Sequence, residues 1–167
     1  SSMDEKAFQD YYPENLSWCY GCGRLNEHGL QIKSFWDPAA EAQEGESVCL
    51  FQPRPQHTAI PGYVYGGLIA SLIDCHGTGT AAAAVYRLEG REMSTLPALR
   101  YVTASLKVDF LKPTPLGPPL ELRGRAIEIG GTPRGKKVVV AITVSVQGVV
   151  CARGEGVAVQ VPEHWLE

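Results

Sequence analysis

The sequence lacks an excess of charge of either sign. It has 15 Lys and Arg against 18 Asp and Glu, which gives a formal net charge of −3 at pH 7. A domain that binds nucleic acid usually carries a basic patch, so this balance argues against a nucleic-acid partner. The chain also lacks the run of roughly 18 uninterrupted apolar residues that a membrane helix needs. We therefore expect no membrane span.

The first residues lack the basic and then apolar order of a signal peptide. The 5 cysteines are odd in number, which does not suit a disulfide framework. We therefore expect a cytoplasmic chain with free thiols. No repeat or linker divides the sequence, and its length suits one domain over residues 1–167. Residues 1–16 form a predicted N-terminal extension, in which residues 4–12 suit a short helix stopped by Pro13.

The most informative stretch is PGYVYGGLIASLIDCHGTGTAAAA, residues 61–84, in which Asp74 is a lone carboxylate among apolar and small residues. It predicts a buried helix from about Gly66 to Arg87, with Gly77 and Gly79 loosening the second half. An ionised carboxylate is costly to bury without partners. Asp74 therefore needs a functional or structural explanation.

The spacing along this helix supplies one explanation. Asp74 follows Gly67 by about two turns, or about 10 Å along the axis. Ala70, Thr78 and Ala81 share a stripe with these two residues, and their small side chains leave room for a ligand. A glycine at a helix N-terminus also offers free N–H groups and a partial positive charge. The pattern predicts an oxyanion site beside a carboxylate base or nucleophile, although a purely structural aspartate remains the alternative.

Two further groups of residues invite a chemical interpretation. Cys19 and Cys22 form a Cys-x-x-Cys pair with His28 nearby, which could be half of a zinc site or a redox pair. Zinc usually needs four ligands, and a thioredoxin-like pair should follow a strand and open a helix. We therefore expect a glycine-rich turn with two partly buried thiols. His57, in a proline-rich loop, is expected to be a surface residue.

The flanking segments predict an antiparallel sheet. Strands are expected at residues 30–36 and 47–52, followed by about four consecutive strands from residue 101 onward. In the strand that begins at residue 101, Val102, Ala104 and Leu106 are expected to face the helix. Thr103 would then point away from the helix. The fold class is α+β, with a long central helix wrapped by a curved antiparallel sheet of about five to six strands. Open sheet edges favour pairing with a second copy.

Several of these segments are familiar together. The run PGYVYGGLIASLID, followed by YVTASLKVDFLKPTPLG and a Gly-Arg/Lys hairpin, resembles the hotdog-fold acyl-CoA thioesterases of the PaaI-like and Them4/Them5-like branch. The opening CYGCGRLNEHGLQIKSFWD is similar to the amino-terminal segment of that branch. The resemblance implies a hotdog fold and hydrolysis of acyl-CoA thioesters without a metal or organic cofactor. It also implies homodimers, often paired into homotetramers, with the active site at the dimer interface.

The resemblance also implies residue roles. Asp74 would be the catalytic nucleophile or the general base for a water molecule, and the Gly67 N–H would polarise the thioester carbonyl. Thr103 would work with the aspartate, often from the partner subunit. The family commonly has histidine before the two glycines, where this chain has Tyr65 followed by Gly66. A tyrosine hydroxyl can donate a hydrogen bond but does not accept a proton at neutral pH.

The remaining expectations concern binding. Thr78, one turn beyond Asp74, is placed to donate to its carboxylate. Arg134, Lys136 and Lys137 lie on the hairpin and suit the phosphates of CoA. An alternative function is a non-catalytic acyl-CoA or acyl-lipid binding protein. Hydration or dehydration of acyl thioesters is disfavoured, because His76 should point to a different face of the helix from Asp74.

Overall fold

A computed structural model describes residues 5–39 and 45–166. One long helix, α1, covers Gly66–Leu88. The six strands are β1 (Phe35–Trp36), β2 (Ser47–Phe51), β3 (Tyr101–Phe110), β4 (Leu120–Thr132), β5 (Gly135–Val146) and β6 (Val149–Gln160). Short 3-10 turns lie at Phe8–Tyr11, Glu14–Leu16 and Glu163–Leu166.

The strands form a single antiparallel sheet in the order β1-β2-β4-β5-β6-β3. Helix α1 packs against β3, β4, β5 and β6. The β5–β6 turn consists of Gln147 and Gly148, whose φ angles of 50° and 82° suit a tight hairpin. The predicted architecture of one helix against about six antiparallel strands is confirmed.

Helix α1 is apolar on most faces because the sheet covers most of it. Leu72 and Ile73 are fully buried. The helix is long and apolar enough to cross a membrane. However, 78% of its most apolar 18-residue stretch is buried in the fold, as in a core helix. Gly77 and Gly79 do not loosen it, contrary to expectation. A Cβ at Gly79 would lie 2.6 Å from Gln9 Nε2, so this glycine serves the close approach of the N-terminal segment.

The expected strand over residues 30–36 is wrong for most of its length, since only Phe35 and Trp36 pair with β2. The N-terminal segment, residues 5–29, forms hydrogen bonds with backbone groups of residues 30–34 that would otherwise be available for pairing with a neighbouring strand. Ile32 N–H donates to the Gly21 carbonyl. Ser34 N–H donates to Gln9 Oε1, and the Ser34 carbonyl accepts from Phe8 N–H. Residues 30–34 therefore connect the N-terminal segment to the core.

The expected short helix over residues 4–12 is also wrong in type. The chain forms a 3-10 turn at Phe8–Tyr11, and Pro13 begins a second turn instead of ending a helix. Phe8 and Tyr12 are buried. Residues 1–4 of the extension and residues 40–44 of the polar turn lie outside the described residues.

Candidate active site

Asp74 lies on the most open face of α1. Gly67, Ala70, Ser71 and Asp74 are half-buried, whereas the helix is buried from residue 75 to residue 86. Residues spaced by three, four and seven positions share one face of a helix, so this open face runs over the first two turns. The predicted small-residue stripe is therefore accessible only in its first half.

Thr103 contacts Asp74 within the same chain. Its hydroxyl donates a hydrogen bond to Asp74 Oδ1. The expectation that Thr103 points away from its own helix, and would be supplied across a subunit boundary, is therefore wrong. A hydroxyl donor on a carboxylate is a charge-assisted contact, which is stronger than a bond between neutral groups. Helix α1 and strand β3 together hold the pair.

A β-bulge explains this orientation. Thr103 pairs with Ala158 of β6, but Ser105 pairs with Val157, so Ala104 is an extra residue on β3. An extra residue shifts the alternation of side chains by one position. Thr103, before the bulge, and Val108, after it, consequently both face the helix.

The expected core positions of β3 are also wrong. Val102 and Leu106 are each 37% exposed and Ala104 is exposed, so none of the three is buried against α1 as expected. Strand β3 pairs with β6 and ends the sheet order. In the part of the chain that the structure describes, its other edge has no partner strand.

The start of α1 presents unpaired N–H groups. The Tyr65 carbonyl accepts from the N–H groups of Leu68 and Ile69. Among the described residues, the N–H groups of Gly66 and Gly67 have no acceptor. They lie about two turns from Asp74, at the positive end of the helix dipole. The helix start can therefore stabilise a developing negative charge on a substrate oxygen.

Tyr65 lies directly over this helix start. A Cβ at Gly67 would be 2.4 Å from Tyr65 Cε2 and 2.7 Å from its hydroxyl oxygen, so only glycine leaves room for the ring. Tyr65 itself is 57% exposed, and the ring borders solvent. The residue that departs from the family pattern is thus placed against the predicted oxyanion donor.

A groove of about 400 Å³ opens at the same end of the helix. Its walls come from the approach to α1, from α1 itself and from the end of β3. They include Tyr63, Gly66, Ile69, Phe110 and the segment 111–114. This apolar groove can accept an acyl group beside the helix start.

The other predicted binding residues lie elsewhere. Thr78 is buried, and its hydroxyl donates to the Cys75 carbonyl at 3.2 Å instead of to Asp74. Arg134, Lys136 and Lys137 line one pocket of about 290 Å³ with Trp165. Lys136 Nζ lies 3.2 Å from Glu89 Oε2, so an acidic side chain already pairs with one of the three cations.

Comparisons with known proteins identify the family and the fold of this chain. The family model described as Thioesterase superfamily matches residues 61–133, from the helix approach to the β4–β5 turn. A thioesterase superfamily protein from Shewanella loihica PV-4 with a solved crystal structure is 44% identical, and the match covers 90% of this chain and 100% of that chain with a TM-score of 0.62. The chain belongs to the thioesterase superfamily. The predicted family and its hotdog fold are confirmed.

Two further relatives place this superfamily member among its neighbours. The acyl-coenzyme A thioesterase THEM4 of Xenopus laevis is 38% identical over 89 residues, which is 53% of this chain and 32% of that protein. The chain spans about a third of the length of the curated relatives it matches. The PaaI protein of E. coli, at 19% identity and a TM-score of 0.59 over 79% of this chain and 80% of its own, supports the fold alone.

In this thioesterase superfamily chain, His76 lies apart from the candidate site. It points to a different face of α1 from Asp74, as predicted. It is fully buried, with Nδ1 2.8 Å from Ser34 Oγ and Nε2 2.9 Å from Ser47 Oγ. Burial lowers its pKa to about 3, so the ring is neutral. Each ring nitrogen therefore has a serine hydroxyl as its partner, and the Ser47 hydroxyl also contacts Thr80 Oγ1 at 2.7 Å.

Sequence reasoning missed the partner of the Cys-x-x-Cys pair. His28 is exposed beside Glu27 and does not join the cysteines. Cys75 of α1 does, and the Sγ atoms of Cys19, Cys22 and Cys75 all lie within 4.8 Å of one another. Cys75 is 53 residues from Cys22, so no local motif links them. His57 is half-buried in its loop, where its Nδ1 accepts from Arg54 N–H at 2.9 Å.

Proposed function

We propose that this domain hydrolyses acyl-CoA thioesters. The observation that carries the proposal is the Asp74–Thr103 pair on the open face of α1, about two turns from the unpaired N–H groups of Gly66 and Gly67. A carboxylate base or nucleophile and an oxyanion donor are the two elements that acyl transfer requires. The name of the THEM4 relative supplies the substrate class.

The mechanism begins with the thioester carbonyl at the helix start. The Gly67 N–H donates to the carbonyl oxygen, and the acyl group occupies the groove beside Phe110. Asp74 then either accepts a proton from a water that attacks the carbonyl carbon or attacks that carbon itself. In the second route the acyl group is left on Asp74 as a mixed anhydride, which a water molecule hydrolyses to the free acid. The C–S bond breaks, and the CoA thiolate leaves and is protonated from solvent. Thr103 holds the Asp74 carboxylate toward the reacting atoms.

The basic hairpin is the proposed site for the CoA phosphates. Arg134 and Lys137 have no carboxylate partner among the described residues, whereas Lys136 pairs with Glu89. Guanidinium and ammonium groups bind phosphate well, and Trp165 in the same pocket offers an aromatic surface. Arg134→Ala should raise KM for acyl-CoA with little change in kcat.

The free edge of β3 supports assembly into a homodimer. This ten-residue strand exposes Val102, Leu106 and Phe110 along an edge that has no partner strand in the described residues. Edges of this kind are usually covered by another strand, here that of a second copy. Two such dimers would make the homotetramer. Light scattering of the wild type and of Leu106→Arg tests this, since the charged side chain should yield monomers.

A direct test of the function is release of free thiol from acyl-CoAs of increasing chain length and from benzoyl- and phenylacetyl-CoA. We expect multiple turnovers with at least one of these substrates. Retention of every acyl-CoA over many minutes without thiol release would contradict hydrolysis.

That second result would support a non-catalytic acyl-CoA binding protein. The specific observation in its favour is the Tyr65 ring, which lies over Gly67 where the substrate oxygen would have to approach. Tyr65→His restores the residue common in the family. In a binding protein this substitution should create thiol release, whereas in an active enzyme it should change an existing rate by about tenfold or less.

A further inference from the structure

Three cysteines from two segments that are distant in sequence lie close together. Two of them belong to the N-terminal segment and the third to α1. Cys19 Sγ and Cys75 Sγ are 3.9 Å apart, and Cys22 Sγ completes the group within 4.8 Å. Zinc binds thiolates at about 2.3 Å, which places the sulfur atoms of a tetrahedral site about 3.8 Å from one another. The sulfur atoms therefore already lie close to the spacing of a metal site.

The local backbone brings the turn that carries Cys19 and Cys22 close to α1. The Cys19 and Cys75 thiols lie within hydrogen-bond distance of each other. A Cβ at Gly21 would lie 2.3 Å from Cys75 Sγ, so glycine is required where the turn approaches α1.

A buried cation lies beside the cluster. Arg100 is 9% exposed and, in residues 5–39 and 45–166, has no carboxylate within ion-pair distance. Its guanidinium group lies 4.5 Å from the centre of the Tyr12 ring and within electrostatic range of the three cysteines. A buried charge requires a compensating one. A divalent ion with three thiolates carries one net negative charge, which Arg100 would neutralise.

We propose that Cys19, Cys22 and Cys75 bind one thiophilic metal ion, either zinc or copper(I), which fastens the N-terminal segment to α1. Thiolate ligands select these ions over the hard cations. The proposal departs from the expectation that the chain uses no metal, because Cys75 supplies a third ligand that the sequence pattern did not reveal.

The role of this ion would be structural. Cys75 follows Asp74 in sequence, but its side chain is buried whereas that of Asp74 borders the open face. Three sulfur ligands complete a trigonal copper(I) site, whereas zinc takes a fourth ligand. The Tyr12 hydroxyl is buried without a hydrogen-bond partner in the described residues, and Tyr12 belongs to the same core cluster as Cys22 and Cys75. It is a candidate for that fourth position.

The test loads reduced, metal-free protein with zinc or with copper(I) under anaerobic conditions and measures bound metal after gel filtration. We expect one equivalent of at least one ion in the wild type, and less than a tenth of that in Cys19→Ala. Cys19 is the least buried of the three, so its replacement is the least disruptive to folding. Cys49→Ala is the matched control, because it removes a buried thiol outside the cluster and should retain full binding.

Thermal unfolding of the same samples provides a second readout. Metal should raise the melting temperature of the wild type and of Cys49→Ala by several degrees and leave Cys19→Ala unchanged. Failure of the wild type to retain either ion, or equal retention by Cys19→Ala, would overturn the proposal. A count of free thiols could also overturn the proposal. The wild type would be prepared with metal and mild reductant and then denatured, and the contradicting result is two fewer free thiols than the 5 cysteines of the chain. That result would indicate a disulfide instead of a metal site.

Discussion

Two faces of one helix differ sharply around Asp74 and His76. Asp74 borders the open face and takes a hydrogen bond from Thr103, whereas His76 is fully buried and bonded on both ring nitrogens to Ser34 and Ser47. Both are ionisable side chains in the same apolar run, but only Asp74 can reach a substrate. The comparison shows that access, and not charge alone, separates a catalytic candidate from a structural residue.

The largest effect on activity is expected from Asp74→Asn. Asparagine keeps the size of the side chain but cannot act as base or nucleophile, so thiol release should fall by roughly 10²–10⁴-fold. The melting temperature should stay within about 2 °C of the wild type, because the position is half-buried and exchanges one polar group for another. Steady-state kinetics and thermal unfolding on one preparation check both statements, and near-normal turnover would refute the assignment.

The opposite outcome, a loss of stability with little change in activity, is expected for a substitution on the buried face. His76→Leu leaves the Ser34 hydroxyl without the ring nitrogen it bonds, so the free energy of unfolding should fall by about 1–3 kcal/mol. The activity of the folded fraction should change by less than about twofold. Urea unfolding gives the stability, and turnover per folded molecule gives the activity. A large loss of turnover with unchanged stability would place His76 in the site.

Thr103→Val should have an intermediate effect on activity. Valine keeps the branched shape but removes the hydroxyl, and a hydrogen bond to a charged group is worth about 1.5–3 kcal/mol. We expect kcat to fall by roughly 10- to 100-fold with a smaller change in KM. Thr103→Ser keeps the hydroxyl and is the matched control, which should retain most of the activity. Equal losses in the two variants would indicate packing and not the hydrogen bond.

A smaller effect is expected from the protonation of His76. Its pKa is about 3 in the folded chain, because of burial, and about 6.5 in the unfolded chain. The unfolded state therefore binds more protons between these values, and stability falls as the pH falls below about 6.5. The slope contributed by this residue is at most about 1.4 kcal/mol per pH unit. The pH dependence of the unfolding free energy should be shallower in His76→Leu, and identical slopes would contradict this.

Much of the fold and part of the candidate site could be predicted from the sequence. The apolar run with its lone carboxylate predicted α1 and Asp74, and alternation with glycine-rich turns predicted β4, β5 and β6. The orientation of Thr103 could not be predicted, because the bulge at Ala104 is a feature of pairing with β6. The strand expected over residues 30–34 failed for a similar reason, since Gln9, far away in sequence, takes a hydrogen bond from its backbone.

The meeting of Cys75 with Cys19 and Cys22 likewise depends on tertiary structure. A Cys-x-x-Cys pair is visible in the sequence, but a third cysteine beside a buried arginine is not. Long-range contacts of this kind leave no periodic signal. They have to be read from the fold.

The central claim is that Asp74 and Thr103 act as one unit in hydrolysis. A double-mutant cycle of kcat/KM with Asp74→Asn and Thr103→Val tests it most directly. If Thr103 acts through the Asp74 carboxylate, the double variant should be about as slow as Asp74→Asn alone. Independent effects that multiply in the double variant would contradict the account.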